Sequence, residues 1–198
     1  MHVDDRKILV GFLVLLTLAV GAWLYVTAEG GLFPPSVPLP TGRVAWKYVV
    51  IHHSGTDAGN AVAFDRYHRE VKGWRNGLAY HFVIGNGNGS GDGKLEIGKR
   101  WINQQPGAHA GDPSINNVGI GICLVGDFTK SKPTSRQLRR LVDLLALLCS
   151  TYRIPPERVL KHGDITQTQC PGPNFHHEEI LSELRARLQS TEFDQQSR

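Results

Sequence analysis

Apolar and polar positions divide this chain into three stretches. From Ile8 to Val26 the residues are uncharged and almost all apolar. A run of about 19 residues can cross a hydrocarbon core of roughly 30 Å as one helix. Arg6 and Lys7 precede it, and no Lys or Arg follows until Arg43. The positive-inside rule then leaves residues 1–7 in the cytoplasm and the rest of the chain outside, anchored at the membrane by residues 8–26. Val26-Thr27-Ala28 also resembles a cleavage site, in which case the domain is secreted. Residues 27–42 carry Pro34, Pro35, Pro38 and Pro40 and read as an extended, semi-rigid linker.

Beyond Arg43 the pattern is that of a folded domain, residues 43–188. Val44 to His52 reads as a strand of apolar and β-branched residues. Asn60 can cap a helix from Ala61 to Lys72, ended by Gly73. Leu78 to Ile84 reads as a second strand, and Gly85 to Gly93 turns the chain into Lys94–Ile97. Val118 to Val125 is a nearly continuous apolar run, as in a central buried strand. Thr134 and Gln137 form a capping box before a helix with apolar Leu138, Leu141, Val142, Leu145 and Leu148. A short strand follows at Val159–Lys161. Asn174 can cap a last helix with Glu178 and Glu179 in its first turn, and residues 189–198 read as a flexible tail. The alternation of strands and helices gives an α/β domain with a central sheet.

Composition narrows the function little. A net charge of +4 is too mild to argue for a nucleic-acid partner, although it suits an anionic polymer. Three cysteines without a close pair make a poor disulfide framework. Cys123 and Cys149 read as buried free thiols. The Gly-rich turn before Lys94 lacks the spacing and the Ser or Thr of a phosphate-binding loop.

The candidate chemistry lies in His52, at the end of the first strand, His162, at the end of another, and Cys170, eight residues later. Two imidazoles and a thiolate suit Zn2+, and three protein ligands leave one position open, as in catalytic zinc sites. Residue type alone is weak support, because the chain has nine histidines. His53, His68, His81, His176 and His177 read as ordinary hydrogen-bonded histidines.

The segments Ile51-His52-His53-Ser54, Gly77-Leu78-Ala79-Tyr80-His81-Phe82, Gly107-Ala108-His109 and His162 through Cys170-Pro171-Gly172 occur in an order and spacing that carry a resemblance. Together they resemble the zinc amidases related to peptidoglycan recognition proteins and bacteriophage T7 lysozyme, over about Val44 to Leu188. The resemblance implies a central mixed β-sheet flanked by helices, with zinc held in a groove by His52, His162 and Cys170. It implies hydrolysis of the amide between the lactyl group of N-acetylmuramic acid and L-alanine in peptidoglycan or muropeptides. Tyr80 would orient water or donate a hydrogen bond, and Thr168 would support the oxyanion. His109 and Trp101 would border the substrate, with Trp101 equally open to a reading as core packing. Arg100 stands where the recognition proteins have a Gly, and the spacing from Trp101 to Gly107 is longer by two residues than the family's pattern. A monomer is expected. The alternative functions are a module that binds peptidoglycan without cutting it, and a zinc amidase for another acylated peptide or sugar.

Overall fold

The computed structural model describes residues 37–39 and 44–196. Five strands form one sheet: β1 (Tyr48–His53), β2 (Phe82–Ile84), β3 (Leu95–Ile97), β4 (Gly119–Leu124) and β5 (Val159–Lys161). Their spatial order is β3-β2-β4-β1-β5. The central pairs are parallel and β3 joins β2 antiparallel, so the sheet is mixed. The helices are α1 (Ala61–Glu70), α2 (Lys99–Ile102), α3 (Pro113–Asn116), α4 (Ser135–Tyr152) and α5 (His177–Gln196). The fold is thus α/β with a central mixed sheet flanked by helices.

Strand alternation separates two faces with different work. Val49 and Ile51 of β1, Phe82 and Ile84 of β2, and Ile120, Ile122 and Leu124 of β4 share the main core with α4 and α5. The opposite face carries Val83, Cys123 and Val125, over which Phe64 of α1 and Tyr80 pack. In the parallel register His52 pairs with Cys123. All six residues of β4 are buried, as its neighbours on both sides require.

Local signals account for the helix ends. Asn60 Oδ1 accepts the Ala63 N–H at 2.8 Å and starts α1. Thr134 and Gln137 cap α4 reciprocally, at 3.0 and 3.1 Å. The buried Gln137 amide also donates to the carbonyls of Ile84 and Val125, tying the ends of β2 and β4 to the helix. Arg153, in the left-handed region, closes α4 before Pro155.

Several expectations need correction. Residues 78–81 are not strand. The Leu78 N–H is taken by Asp65, its carbonyl by Arg100 and the Ala79 N–H by His68 Nδ1, so no ladder forms at 78–79, and the chain meets the sheet at His81, whose N–H donates to the Gly121 carbonyl at 2.9 Å. Asn174 does not cap the last helix, which begins at His177 and runs to Gln196, past the expected start of the tail. Part of the expected linker belongs to the fold: Val37 is buried in the main core, and the Pro38 carbonyl accepts the Trp101 indole N–H at 2.9 Å. The apolar run 8–26 lies outside the described residues. Among the described residues no helix is long and apolar enough to cross a membrane.

Candidate metal centre and its surroundings

His52 ends β1 on the sheet face opposite α4 and α5. His162 opens a 3-10 turn directly after β5, the strand beside β1. Cys170 returns to the same place on the following loop, where its carbonyl accepts the Gly163 N–H at 2.8 Å. The ligating atoms of His52, His162 and Cys170 all lie within 4.8 Å of one another. His52 Nδ1 is 3.8 Å from Cys170 Sγ. Tetrahedral zinc, with Zn–N near 2.0–2.1 Å and Zn–S near 2.3 Å, needs a separation of about 3.6 Å. The donor set and its spacing therefore fit a zinc ion with one position left open.

Each candidate ligand has an orienting partner. His52 Nε2 lies 3.0 Å from His109 Nδ1. His162 hydrogen-bonds the backbone of Ala110, the residue after His109. Cys170 Sγ accepts the His53 backbone N–H at 3.4 Å. Such outer contacts set ring tautomer and ligand basicity in metal sites. Burial, followed by neighbouring His109, His162 and His53, holds His52 well below 6.5, so it stays neutral and able to coordinate. Burial likewise lowers His109 to about 3. Burial pushes the Cys170 thiol up to about 11, against the opposing pull of the His53 N–H. A dication would reverse that shift, since a coordinated thiol is deprotonated.

Tyr80 precedes β2, with its ring 5.1 Å from that of His52. Burial first, then the Cys123 and Cys170 thiols, raise its phenol well above 10, so it remains a proton-bearing donor. Tyr80 also borders a pocket of about 420 Å³ whose other walls are Ser54, Thr56, Phe64, Tyr67 and His68. The His68 ring stacks on Trp74 at 4.9 Å. The Thr168 hydroxyl accepts the Cys170 N–H at 3.2 Å and so braces the ligand loop.

The two residues expected beside the substrate are both buried. Trp101 is fully buried. Its ring packs against Phe82 at 4.7 Å and Trp46 at 6.1 Å, so it belongs to the core rather than to a groove wall. His109 is 5% exposed, and its Nδ1 lies 3.0 Å from His52 Nε2, so what the ring meets is His52. Ala110, Asn116 and the pocket residue Tyr67 carry no mark in the sequence pattern, and His68, another wall of the pocket, reads there as an ordinary histidine. Cys123 reads in sequence as a buried free thiol, yet it hydrogen-bonds the Tyr80 hydroxyl. Alternation along β4, which puts Cys123 on the same face as Gly119 and Gly121, was the available signal for that placement.

Known proteins resemble this chain in sequence and fold. A human protein named N-acetylmuramoyl-L-alanine amidase is 31% identical over 152 residues, covering 70% of this chain and 24% of its own length. Drosophila melanogaster peptidoglycan-recognition protein LE is 30% identical over 154 residues, covering 73% of this chain and 41% of its own length. The chain thus spans a minor part of both relatives. Among solved structures, the N-acetylmuramoyl-L-alanine amidase LysC from Clostridium intestinale URNW matches with a TM-score of 0.63 and 29% identity, over 77% of this chain and 94% of LysC. A structure of peptidoglycan recognition protein-LE in complex with tracheal cytotoxin, a monomeric diaminopimelic acid-type peptidoglycan, matches with a TM-score of 0.57 and 30% identity, over 76% of this chain and 86% of that one. The pattern of one family matches residues 42–173, two thirds of the chain, and the chain belongs to the N-acetylmuramoyl-L-alanine amidase family.

Proposed function

We propose that this protein is a zinc-dependent N-acetylmuramoyl-L-alanine amidase that hydrolyses the bond between the lactyl group of N-acetylmuramic acid and the L-alanine of the stem peptide. The observation that carries this reading is the gathering of His52, His162 and Cys170 within coordination distance, with Tyr80 beside them at the edge of a pocket. When bound there, zinc would supply a Lewis acid for the amide carbonyl and lower the pKa of water. The chain's own residues do the rest. His52, His162 and Cys170 hold the ion. Tyr80, protonated across the physiological range, donates a hydrogen bond towards the oxygen on which charge develops. Thr168 fixes the backbone of Cys170 and so the position of its sulfur. The pocket shared by Tyr80, Tyr67 and His68 is of a size to receive part of the stem peptide.

The same reading gives peptidoglycan or a soluble muropeptide as substrate. The apolar run 8–26 and the prolines that follow support a membrane tether with the domain outside the cytoplasm. The test uses the full-length chain on purified peptidoglycan, with chelator and with zinc restored. New alanine amino groups and free stem peptides that vanish with chelator and return with zinc are expected. Cys170→Ala should bind the wall without releasing peptides. Sacculi that are bound but left intact by the zinc-loaded wild type would overturn the reading in favour of a recognition module.

A further inference from the structure

The site includes a buried histidine whose ring meets a candidate ligand. His109 is buried behind His52, and its two nitrogens have different partners. Nε2 lies 3.2 Å from the carbonyl of Gly119, a group that can only accept. That nitrogen therefore carries the ring proton, and in the neutral ring Nδ1 is left with a lone pair. His52 Nε2, 3.0 Å away, must then be the donor. A neutral imidazole has one N–H, so the proton of His52 is committed to Nε2. Its Nδ1, the atom facing Cys170 Sγ at 3.8 Å, keeps its lone pair for a metal. Because the chain of bonds ends on a backbone carbonyl, it has a single direction.

The surroundings are shaped to hold this ring. A Cβ on Gly121, in the middle of β4, would lie 2.4 Å from His109 Cδ2, and one on Gly107 would lie 2.3 Å from the same atom. Glycine within a strand weakens it and marks a close approach. Here the approach is by the His109 ring on the strand backbone. Asn116 Oδ1 accepts the N–H groups of both His109 and Ala110, at 2.8 and 3.0 Å. Ala110 is also the backbone partner of His162. One loop, residues 107–110, thus supports both imidazoles of the candidate centre.

We propose that His109 is a positioning residue that locks His52 in the tautomer with Nδ1 free, and that Gly107 and Gly121 exist to admit its ring. The inference rests on reading His52 as a metal ligand. It is decided without the reaction, by tautomer measurements on metal-free protein.

The experiment uses the full-length chain, stripped of metal and carrying 15N-histidine, with long-range proton–nitrogen correlation to assign the protonated nitrogen. Wild-type His52 should be protonated on Nε2 alone. His109→Ala should give a mixture of tautomers. Its zinc dissociation constant, measured by chelator competition, should rise about 10–100-fold. His109→Gln can accept from His52 through its amide oxygen and donate to Gly119 through its amide nitrogen, so it should restore much of both readouts. Should His109→Ala fail to fold, Gly121→Ala displaces the ring while leaving His109 in place, and the same loss of a single tautomer is expected. Wild-type His52 protonated on Nδ1, or a single Nε2 tautomer and unchanged zinc affinity in His109→Ala, would overturn the proposal. A wild type with the expected tautomer and tight zinc that fails to cleave peptidoglycan would overturn the proposed activity and leave this inference standing.

Discussion

His52 and His53 are consecutive, yet their rings serve opposite faces of the sheet. His52 turns towards Cys170, with Nδ1 3.8 Å from Sγ. His53 turns towards Phe128, 5.9 Å between ring centres, and its Nδ1 accepts the Phe128 N–H at 3.1 Å. The alternation of a strand allows nothing else, since neighbouring side chains leave it on opposite sides. Only the backbone of His53 serves the site, through its N–H to Cys170 Sγ. His52→Ala should therefore abolish stoichiometric zinc binding in metal analysis of the purified protein. His53→Ala should keep its zinc and lose about 0.5–1.5 kcal/mol of folding stability with the Phe128 contact. Equal zinc loss in the two variants would contradict this division of labour.

Tyr80 offers a sharper separation of binding from chemistry. Its phenol is held well above 10, first by burial and then by the nearby Cys123 and Cys170 thiols, so it acts as a donor and not as a base. Tyr80→Phe removes that donor and keeps the ring that lines the pocket. The expected result is a fall in kcat of about 100–1,000-fold, the usual cost of losing one oxyanion donor. KM and zinc content should stay close to wild type. A variant that loses zinc instead would make Tyr80 a structural support of the centre.

Most of the fold was legible because its signals are local. The capping box of Thr134 and Gln137, the Asn60 cap and the unbroken apolar run of β4 each state their element in a few residues. The three candidate ligands were legible from order and spacing. What escaped was tertiary. Trp101 resembles a groove aromatic in sequence, but its indole N–H finds a buried acceptor at Pro38, in a stretch that reads as linker. His109 was placed at the groove because nothing in its own segment shows that Gly121, twelve residues later, opens room for its ring against the sheet. Residues 78–81 look like strand because they run straight into the apolar Phe82–Ile84. The Leu78 backbone groups and the Ala79 N–H are taken by Asp65, Arg100 and His68, which only the folded chain brings near.

Acid should weaken the fold before it protonates the carboxylates. His81 is fully buried, accepting the Gly121 N–H on Nδ1 at 2.9 Å, and burial lowers it from 6.5 to about 4. Its folded pKa is depressed, so between those values the unfolded chain binds a proton that the folded chain refuses. The stabilisation is complete above pH 6.5 and is lost as the pH falls towards 4. A fall from 6.5 to about 4 corresponds to roughly 3 kcal/mol. Urea unfolding of chelator-treated protein should show a falling midpoint across that window, with the His81 ring resonances unmoved above pH 5. A His81 that titrates near 6.5 would remove this explanation.

Arg100 is a buried cation used as a backbone clamp. It is 7% exposed and pairs with no carboxylate among the described residues. Its Nε donates to the Leu78 carbonyl at 2.7 Å and its Nη1 to the Pro106 carbonyl. The first bond fixes the segment leading into Tyr80, and the second fixes the segment leading into Gly107 and His109. A guanidinium can serve both at once because its donors are spread over a rigid plane, and it keeps its charge although burial lowers its pKa. Arg100→Met fills the space but leaves both carbonyls without a partner, at a cost of about 1–3 kcal/mol for each one that stays buried. Arg100→Lys, with one compact ammonium, should recover only part of that loss. Urea midpoints should rank wild type above Arg100→Lys above Arg100→Met. The activity remaining in folded Arg100→Met should fall through kcat, because the clamp holds the approach to Tyr80, and its zinc should be held more weakly, because the clamp also holds the segment leading into His109. Full activity in a folded Arg100→Met protein would show that Tyr80 and His109 hold their positions without it.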